Sequence, residues 1–412
     1  MKSISHLAVA AILSTVAISA PVLAQKAPAA APAAPAPKLS KPVASILSKV
    51  QTAQGAGDHA GALVMLNEAL ALPKATQEDK LWIYRLMLNT AQATKDNALL
   101  KTAVEGSLAT GQVSPADEVR FRTALRGLAL QSKDYRGAAT QAQRLVALAP
   151  TDAKAQFELA QVYQLAGQPR EAYGAVAKAI EVGKASGTVP EDYYKTASKL
   201  ALDNNMNAEF ATSSAGWLGA YPTAENWRTV LALFLDGAKF DDQGSLDVFR
   251  LMHDAGALAS EKDYYEYAET ANRRGLPGEA KAIIDEGLAK GKLSTAKPYT
   301  KELQAVVNPK VARDKASLGS LEADAKKAAN GRDALITGDA YLSHGNYAKA
   351  AELYRLAIQK GSIDAATANT RLGIALGKAG NKAEAATALN SVKGGAREQL
   401  AQYWLMWFNR AA

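Results

Sequence analysis

The chain of 412 residues contains no cysteine. That excludes disulfides, thiolate metal ligands, a cysteine nucleophile and the lipidated cysteine of an exported lipoprotein. Histidine is almost as scarce. His6, His59, His253 and His344 lie far apart in sequence, and none has the i, i+4 partner of a helical zinc site. No metal site or cofactor is predicted. Aromatic residues make up only 7 % of the chain and β-branched runs are few, so helix is favoured over sheet throughout. Glycine-rich phosphate loops and the G-x-S-x-G elbow are missing. A solitary Ser294-Thr295-Ala296-Lys297 lacks the companion segments of an S-x-x-K enzyme. These gaps argue against a motif-bearing enzyme, and no catalytic residue is assigned.

Long apolar runs are also missing beyond the N-terminus. Lys2 is followed by a largely apolar stretch from Leu7 to Ala20, then Val22-Leu23-Ala24. This is the layout of a Sec-type signal peptide over 1–24, too short and too broken by Ser14, Thr15 and Pro21 for a membrane anchor. The sequence therefore predicts a periplasmic or secreted protein that is not transmembrane in its mature form. Residues 25–38, QKAPAAAPAAPAPK, read as an Ala/Pro-rich linker with no capacity to bury a core. Lysine and arginine outnumber acidic residues, 48 to 40. That surplus suits an anionic partner, while export makes nucleic acid a poor candidate.

What is present is a period. GDAYLSHGNYAKAAELYRLA, from Gly338, and GIALGKAGNKAEAATALNSV, from Gly373, repeat one pattern of small, aromatic and turn-forming residues. Gly338 and Gly373 would let two helices approach closely. Gly345 and Gly380 would end the first helix in a left-handed turn. Ala350 and Ala385 would let the second helix pack tightly. The alanine recurs upstream at Ala280, Ala211, Ala172, Ala138 and Ala62. Interpolated units centred on Leu100, Ser245 and Lys315 complete the array. A fixed period near 34 residues is the mark of a helix–turn–helix solenoid.

The pattern resembles the tetratricopeptide repeat (TPR) superfamily, here as an exported bacterial helical-repeat protein. The resemblance implies an all-α, right-handed α-solenoid of about nine or ten TPR-like repeats. The predicted order is an array over 39–307, an irregular charged helical segment or hinge over 308–332, two clear repeats over 333–395, and an atypical C-terminal capping helix over 396–412. It also implies binding rather than reaction: a non-catalytic scaffold or adaptor that grips a protein or extended peptide, most naturally another envelope protein. A component of exopolysaccharide or peptidoglycan handling that binds acidic glycan is the alternative.

In resembling repeats the first helix lines the groove. The column eighteen residues before each repeat alanine reads Ala44, Trp82, Arg120, Lys154, Tyr193, Trp227, Lys262, Lys297, Arg332 and Thr367. Cations and aromatic rings dominate it, so Trp82, Arg120, Lys154, Tyr193, Trp227, Lys262, Lys297 and Arg332 are candidate partner-binding residues. Such side chains suit carboxylates by charge-assisted hydrogen bonds and cation–π contact. A carboxylate clamp of the kind some TPR domains carry is not matched, because Gln161 and Gly127 stand where asparagines belong. Tyr403, Trp404, Trp407 and Phe408 form a second candidate, a C-terminal aromatic surface, set against simple capping of the array.

Overall fold

The computed structural model describes residues 38–410. The predicted signal peptide, residues 25–37 of the linker and the last two residues lie outside them. The described residues form twenty α-helices and no strand. The protein is an all-α helical repeat of TPR-like pairs. No helix among the described residues is long and apolar enough to cross a membrane.

Two compact units divide the chain, 1–193 and 194–412. Unit 1 carries four pairs: α1 (Lys41–Gly55) with α2 (His59–Leu70), α3 (Gln77–Thr94) with α4 (Asn97–Ala109), α5 (Pro115–Gln131) with α6 (Tyr135–Leu148), and α7 (Ala153–Leu165) with α8 (Pro169–Ala185). Helix α9 (Glu191–Asp203) contains the division. Unit 2 continues with α10 (Asn207–Ala220), α11 (Ala224–Ala238), α12 (Asp242–Asp254), α13 (Glu261–Arg273) and α14 (Pro277–Ala289). It ends with α15 (Pro298–Lys327), α16 (Arg332–Ser343), α17 (Tyr347–Lys360), α18 (Ala365–Lys378), α19 (Lys382–Asn390) and α20 (Gly395–Asn409).

The local chemistry of the pairs follows the repeat pattern. Aspartates cap α2, α4, α6, α7 and α12, each side chain accepting from backbone N–H groups of the first turn. Gly345 and Gly380 turn the chain at φ 74° and 89°, conformations that cost glycine little. A Cβ at Gly338 would sit 2.7 Å from the Tyr354 ring, and one at Gly373 would sit 2.4 Å from Leu389. Those contacts are why the first helices of these two pairs, α16 and α18, need glycine there. Ala62, Ala138, Ala172, Ala280, Ala350 and Ala385 are all buried.

Ala211 breaks the column. It is only half-buried, and Phe210, 4 % exposed, occupies the equivalent position four residues after the N-cap of α10. The register expected there slips by one because a phenyl ring takes the slot that alanine fills elsewhere.

The charged stretch 308–332 is not a helix pair centred on Lys315. It is mostly the second half of α15, one continuous helix of 30 residues that accommodates Pro309. Lys297 precedes its first turn and Lys315 lies within it. Lys360 of α17 closes its C-terminus, donating from Nζ to the carbonyls of Ala325, Lys326 and Ala328 at 2.9, 2.9 and 2.5 Å. A lysine there satisfies carbonyls that the helix leaves unpaired and complements its dipole.

Candidate functional site

In unit 1 the first helices α5 and α7 each bury a narrow set of residues, three and four, while α3 buries eight and exposes residues only toward its two ends. Helix α5 buries only Phe121, Leu125 and Leu128, one stripe at four- and three-residue spacing. Between successive first helices run polar bridges. Gln54 of α1 donates to the Leu86 carbonyl at 2.7 Å and to Thr90 Oγ1 at 2.8 Å. Arg85 of α3 reaches Asp117 of α5 at 3.5 Å. Arg126 of α5 reaches Glu158 of α7 at 2.5 Å. The Phe157 ring of α7 stacks on Tyr193 at 4.1 Å. Burial, with Asp152 and Glu158 adding to it, raises the Tyr193 hydroxyl above its usual range.

Two of these bridges carry a second cation. Asp117 also faces Arg120 at 3.8 Å, and Glu158 also faces Lys154 at 4.0 Å. Each carboxylate therefore stands between two cations, one held by the neighbouring helix and one exposed. Arg120 and Lys154 keep 58 % and 79 % of their side-chain surface in solvent. Trp82, half-buried, lies under the Arg85 guanidinium at 5.0 Å. The sequence column thus picked out the outer cations. It missed Arg85, Arg126, Asp117 and Glu158, which tie the helices together. Their separations of 32 residues are the sequence signal that was available.

Unit 2 does the opposite with its helices. Seven consecutive residues are buried in α12 (246–252), in α16 (337–343) and in α18 (370–376). Helices buried on every side cannot present an open groove. Their shared interior is ionic. Asp247 of α12 accepts from Arg250 at 2.7 Å, from Arg371 of α18 at 3.4 Å and from Arg397 of α20 at 2.6 Å. Arg250 also grips Glu279 of α14 with two bonds, 2.8 and 2.6 Å. Arg371 reaches Asp339 of α16 at 2.6 Å. Three carboxylates balance three guanidiniums.

Tyrosines complete the network, Tyr267 donating to Glu279 at 2.7 Å and Tyr354 to Asp339 at 2.8 Å. Burial works against the charge on Asp247, but Arg371, Arg397 and Arg250 outweigh it and hold the carboxyl below its ordinary range. This cluster fastens α12 to α14, α18 and α20. Its members lie up to 150 residues apart, and no local pattern announces them.

Helix α20 corrects the second sequence candidate. Tyr403 and Trp404 are 1 % and 0 % exposed, so they are core rather than surface. Trp404 donates from Nε1 to the Asp247 carbonyl at 3.3 Å. Tyr403 shares a 2.6 Å hydrogen bond with Ser214 and packs edge-on to Phe234 at 5.3 Å. Trp407 and Phe408 are half-buried. Trp407 meets Trp227 of α11 edge-on at 5.7 Å. An aromatic helix with few charges is used here to cover α10, α11 and α12.

The remaining column residues are not brought together. Trp227 is 2 % exposed and belongs to that core. Lys262 is exposed and pairs with Glu266 at 3.5 Å, one turn on. Lys297 and Arg332 are exposed at the starts of α15 and α16. The continuous ladder of the sequence reading therefore reduces to Trp82, Arg120 and Lys154 within unit 1, with Tyr193 buried at its end.

No protein-family model and no curated protein matches this sequence. Among solved structures, a MamA RS-1 double mutant aligns at 18 % identity over 47 % of this chain and 96 % of its own, with a TM-score of 0.28. MamA 41-end from Desulfovibrio magneticus RS-1 aligns at 19 % over the same shares, also at 0.28. A tetratricopeptide repeat protein from Parabacteroides merdae aligns at 12 % over 82 % of this chain and 100 % of its own, at 0.27. Scores this low carry no argument about function. The TPR-like fold rests on the chain's own repeated pairs.

Proposed function

We propose that this chain is an exported, non-catalytic scaffold of the cell envelope. Unit 1 binds an acidic extended segment of a partner protein across the first-helix face of α3, α5 and α7. The observation that carries this reading is the pair of two-cation, one-carboxylate clusters, Arg85–Asp117–Arg120 and Arg126–Glu158–Lys154. In each, one cation is engaged by the neighbouring helix and the other is exposed. An incoming carboxylate meets a preplaced positive charge without disturbing the bridge beneath it. Trp82 adds an aromatic surface at one end. The leader-like sequence of residues 1–24 supports export.

The test is binding of a fluorescein-labelled, glutamate-rich peptide to the full chain and to the double variant Arg120→Glu/Lys154→Glu. Both substituted residues are exposed, so the fold should persist. Affinity should fall by about tenfold or more, and binding by the unaltered chain should weaken with salt. Equal affinity in a folded double variant would sink the proposal. A crosslinking pull-down from intact cells with the same pair of proteins then names the partner. Salt-sensitive capture of purified acidic polysaccharide in place of the peptide would turn the reading toward the glycan.

A further inference from the structure

Unit 2 holds a cavity of about 800 Å³ bordered by α10, α20 and the C-terminal end of α11. It is independent of the unit 1 face and of the buried ionic network. Phe210 fills the alanine slot of α10, and the small residues Ala208, Ala211 and Ala215 of the same helix line the space opposite α20. Gly237 and Ala238 of α11 and Gly395 and Ala396 of α20 are equally small, so nothing fills the space.

The lining has two chemistries. Leu202, Phe210, Leu233, Phe234 and Met406 supply an apolar floor. Asn207, Thr212, Gln399 and Gln402 supply neutral hydrogen-bonding groups, with Asn207, Thr212 and Gln402 exposed at the rim. Among the described residues no lysine or arginine lines it, although the chain carries 48 of them. Arg397, on the same turn of α20, is committed to Asp247. The one charged lining residue is Glu398, whose Oε2 accepts from the Gly394 N–H at 2.8 Å and caps α20. The hydroxyl of Tyr403 is already engaged, by Ser214 and by Gln399 Nε2, each at 2.6 Å.

We infer that this cavity binds an uncharged, single-chain amphiphile, with its apolar body on the α10–α11 floor and its neutral polar head at the Asn207–Gln402 rim. The volume falls in the range of sites that enclose small ligands, roughly 300–1,000 Å³. With no cation in the lining and the Glu398 carboxylate nearby, an anionic head at the rim gains no partner and is repelled. An apolar floor with an amide rim suits a neutral head in its place.

The test uses the full chain and the uncharged fluorescent dye N-phenyl-1-naphthylamine. Dye fluorescence should rise to a single saturating site. 1-Monolauroylglycerol should displace it, and laurate, with the same chain and a carboxylate head, should be about tenfold weaker or worse. Ala211→Trp should fill the floor and weaken dye binding by about tenfold, with helicity by circular dichroism unchanged. If that variant fails to fold, Thr212→Trp on the exposed rim takes its place. Gln402→Lys should erase the disadvantage of laurate. Absence of saturable dye binding overturns the inference, as does full affinity in a folded tryptophan variant. Displacement by laurate as effective as by the glyceride overturns the neutral class.

Discussion

Unit 1 and unit 2 are built from the same kind of helical pair and spend their charges differently. In unit 1 the arginines that link helices, Arg85 and Arg126, are 37 % and 16 % exposed and each meets one carboxylate at the surface. In unit 2 the side chains of Arg250 and Arg371 are 2 % exposed and meet carboxylates that are nearly as buried. The first arrangement leaves spare cations facing water, and with them a surface that an acidic partner can use. The second consumes every charge internally and closes the face that the repeat pattern would otherwise expose. A repeat sequence therefore sets the pair, while the fate of the face depends on whether other helices of the same chain lie against it. In unit 2, α12 and α20 do.

The sharpest way to break this comparison is at Asp247. Asp247→Ala leaves Arg250, Arg371 and Arg397 around an empty centre, and should cost about 3–5 kcal/mol, as breaking a buried ion pair does. Urea unfolding followed by tryptophan fluorescence reads it, because four of the five tryptophans lie in unit 2. A loss below about 1 kcal/mol would mean that the network behaves like a surface pair.

Of comparable size is Trp404→Ala, which should cost about 3–5 kcal/mol by opening a cavity beside Asp247. Should α20 be a dispensable cap, the same change would leave the unfolding midpoint nearly in place.

A third effect depends on pH. His253, at the end of α12, bonds Glu286 of α14 at 2.6 Å, and Asp254 bonds Lys378 of α18 at 2.6 Å. Hydrogen bonding to Asp254 and then to Glu286 raises His253 above 6.5 in spite of burial. Its contribution is complete below 6.5 and is lost as pH rises through the raised value. Burial pushes Glu286 up, but Lys290 and His253 outweigh it and bring the carboxyl down to about 2. Its contribution is present above the unfolded value of 4.5 and is lost as pH falls toward 2. The α12–α14 contact should thus be tightest between about pH 4.5 and 6.5. Melting temperature across pH, compared with His253→Gln, checks this. The variant should lose the decline on the alkaline side, and an unchanged profile there would remove His253 from the account.

The smallest effect belongs to unit 1. Arg126→Ala should cost about 1 kcal/mol or less, since a pair at the surface gains little against solvent screening. A cost matching that of Asp247→Ala would erase the distinction between the two units.

The legible parts of the sequence were those set by neighbours in the chain. Gly345 and Gly380 demand a left-handed turn wherever the chain goes next, and Ala350 and Ala385 face a helix that follows within the same pair. The column through Arg120 of α5 and Lys154 of α7 followed the repeat period, since each stands eighteen residues before a buried alanine, Ala138 and Ala172. At Phe210 the column misled, since nothing local distinguishes a large residue in the slot from a shift of register. At Lys315 interpolation supplied a repeat where α15 simply continues. Tyr403 and Trp404 were legible as an aromatic C-terminal helix expected to cap the array, but that it lies against α10 and α12 was not.

By itself, then, the sequence determined the helical pairs, their turns and caps, and the small residues that let each pair close. These depend on contacts within a few turns of chain, where propensity and spacing act directly. The tertiary structure alone decided that Asp247 should gather Arg250, Arg371 and Arg397, that α20 should cover α12, and that a space should remain beside Ala211. Apart from the Arg250 contact, one turn along α12, those outcomes depend on pairings across more than a hundred residues. Burial made them worth forming, because a charge removed from water needs a partner and an apolar helix needs a face.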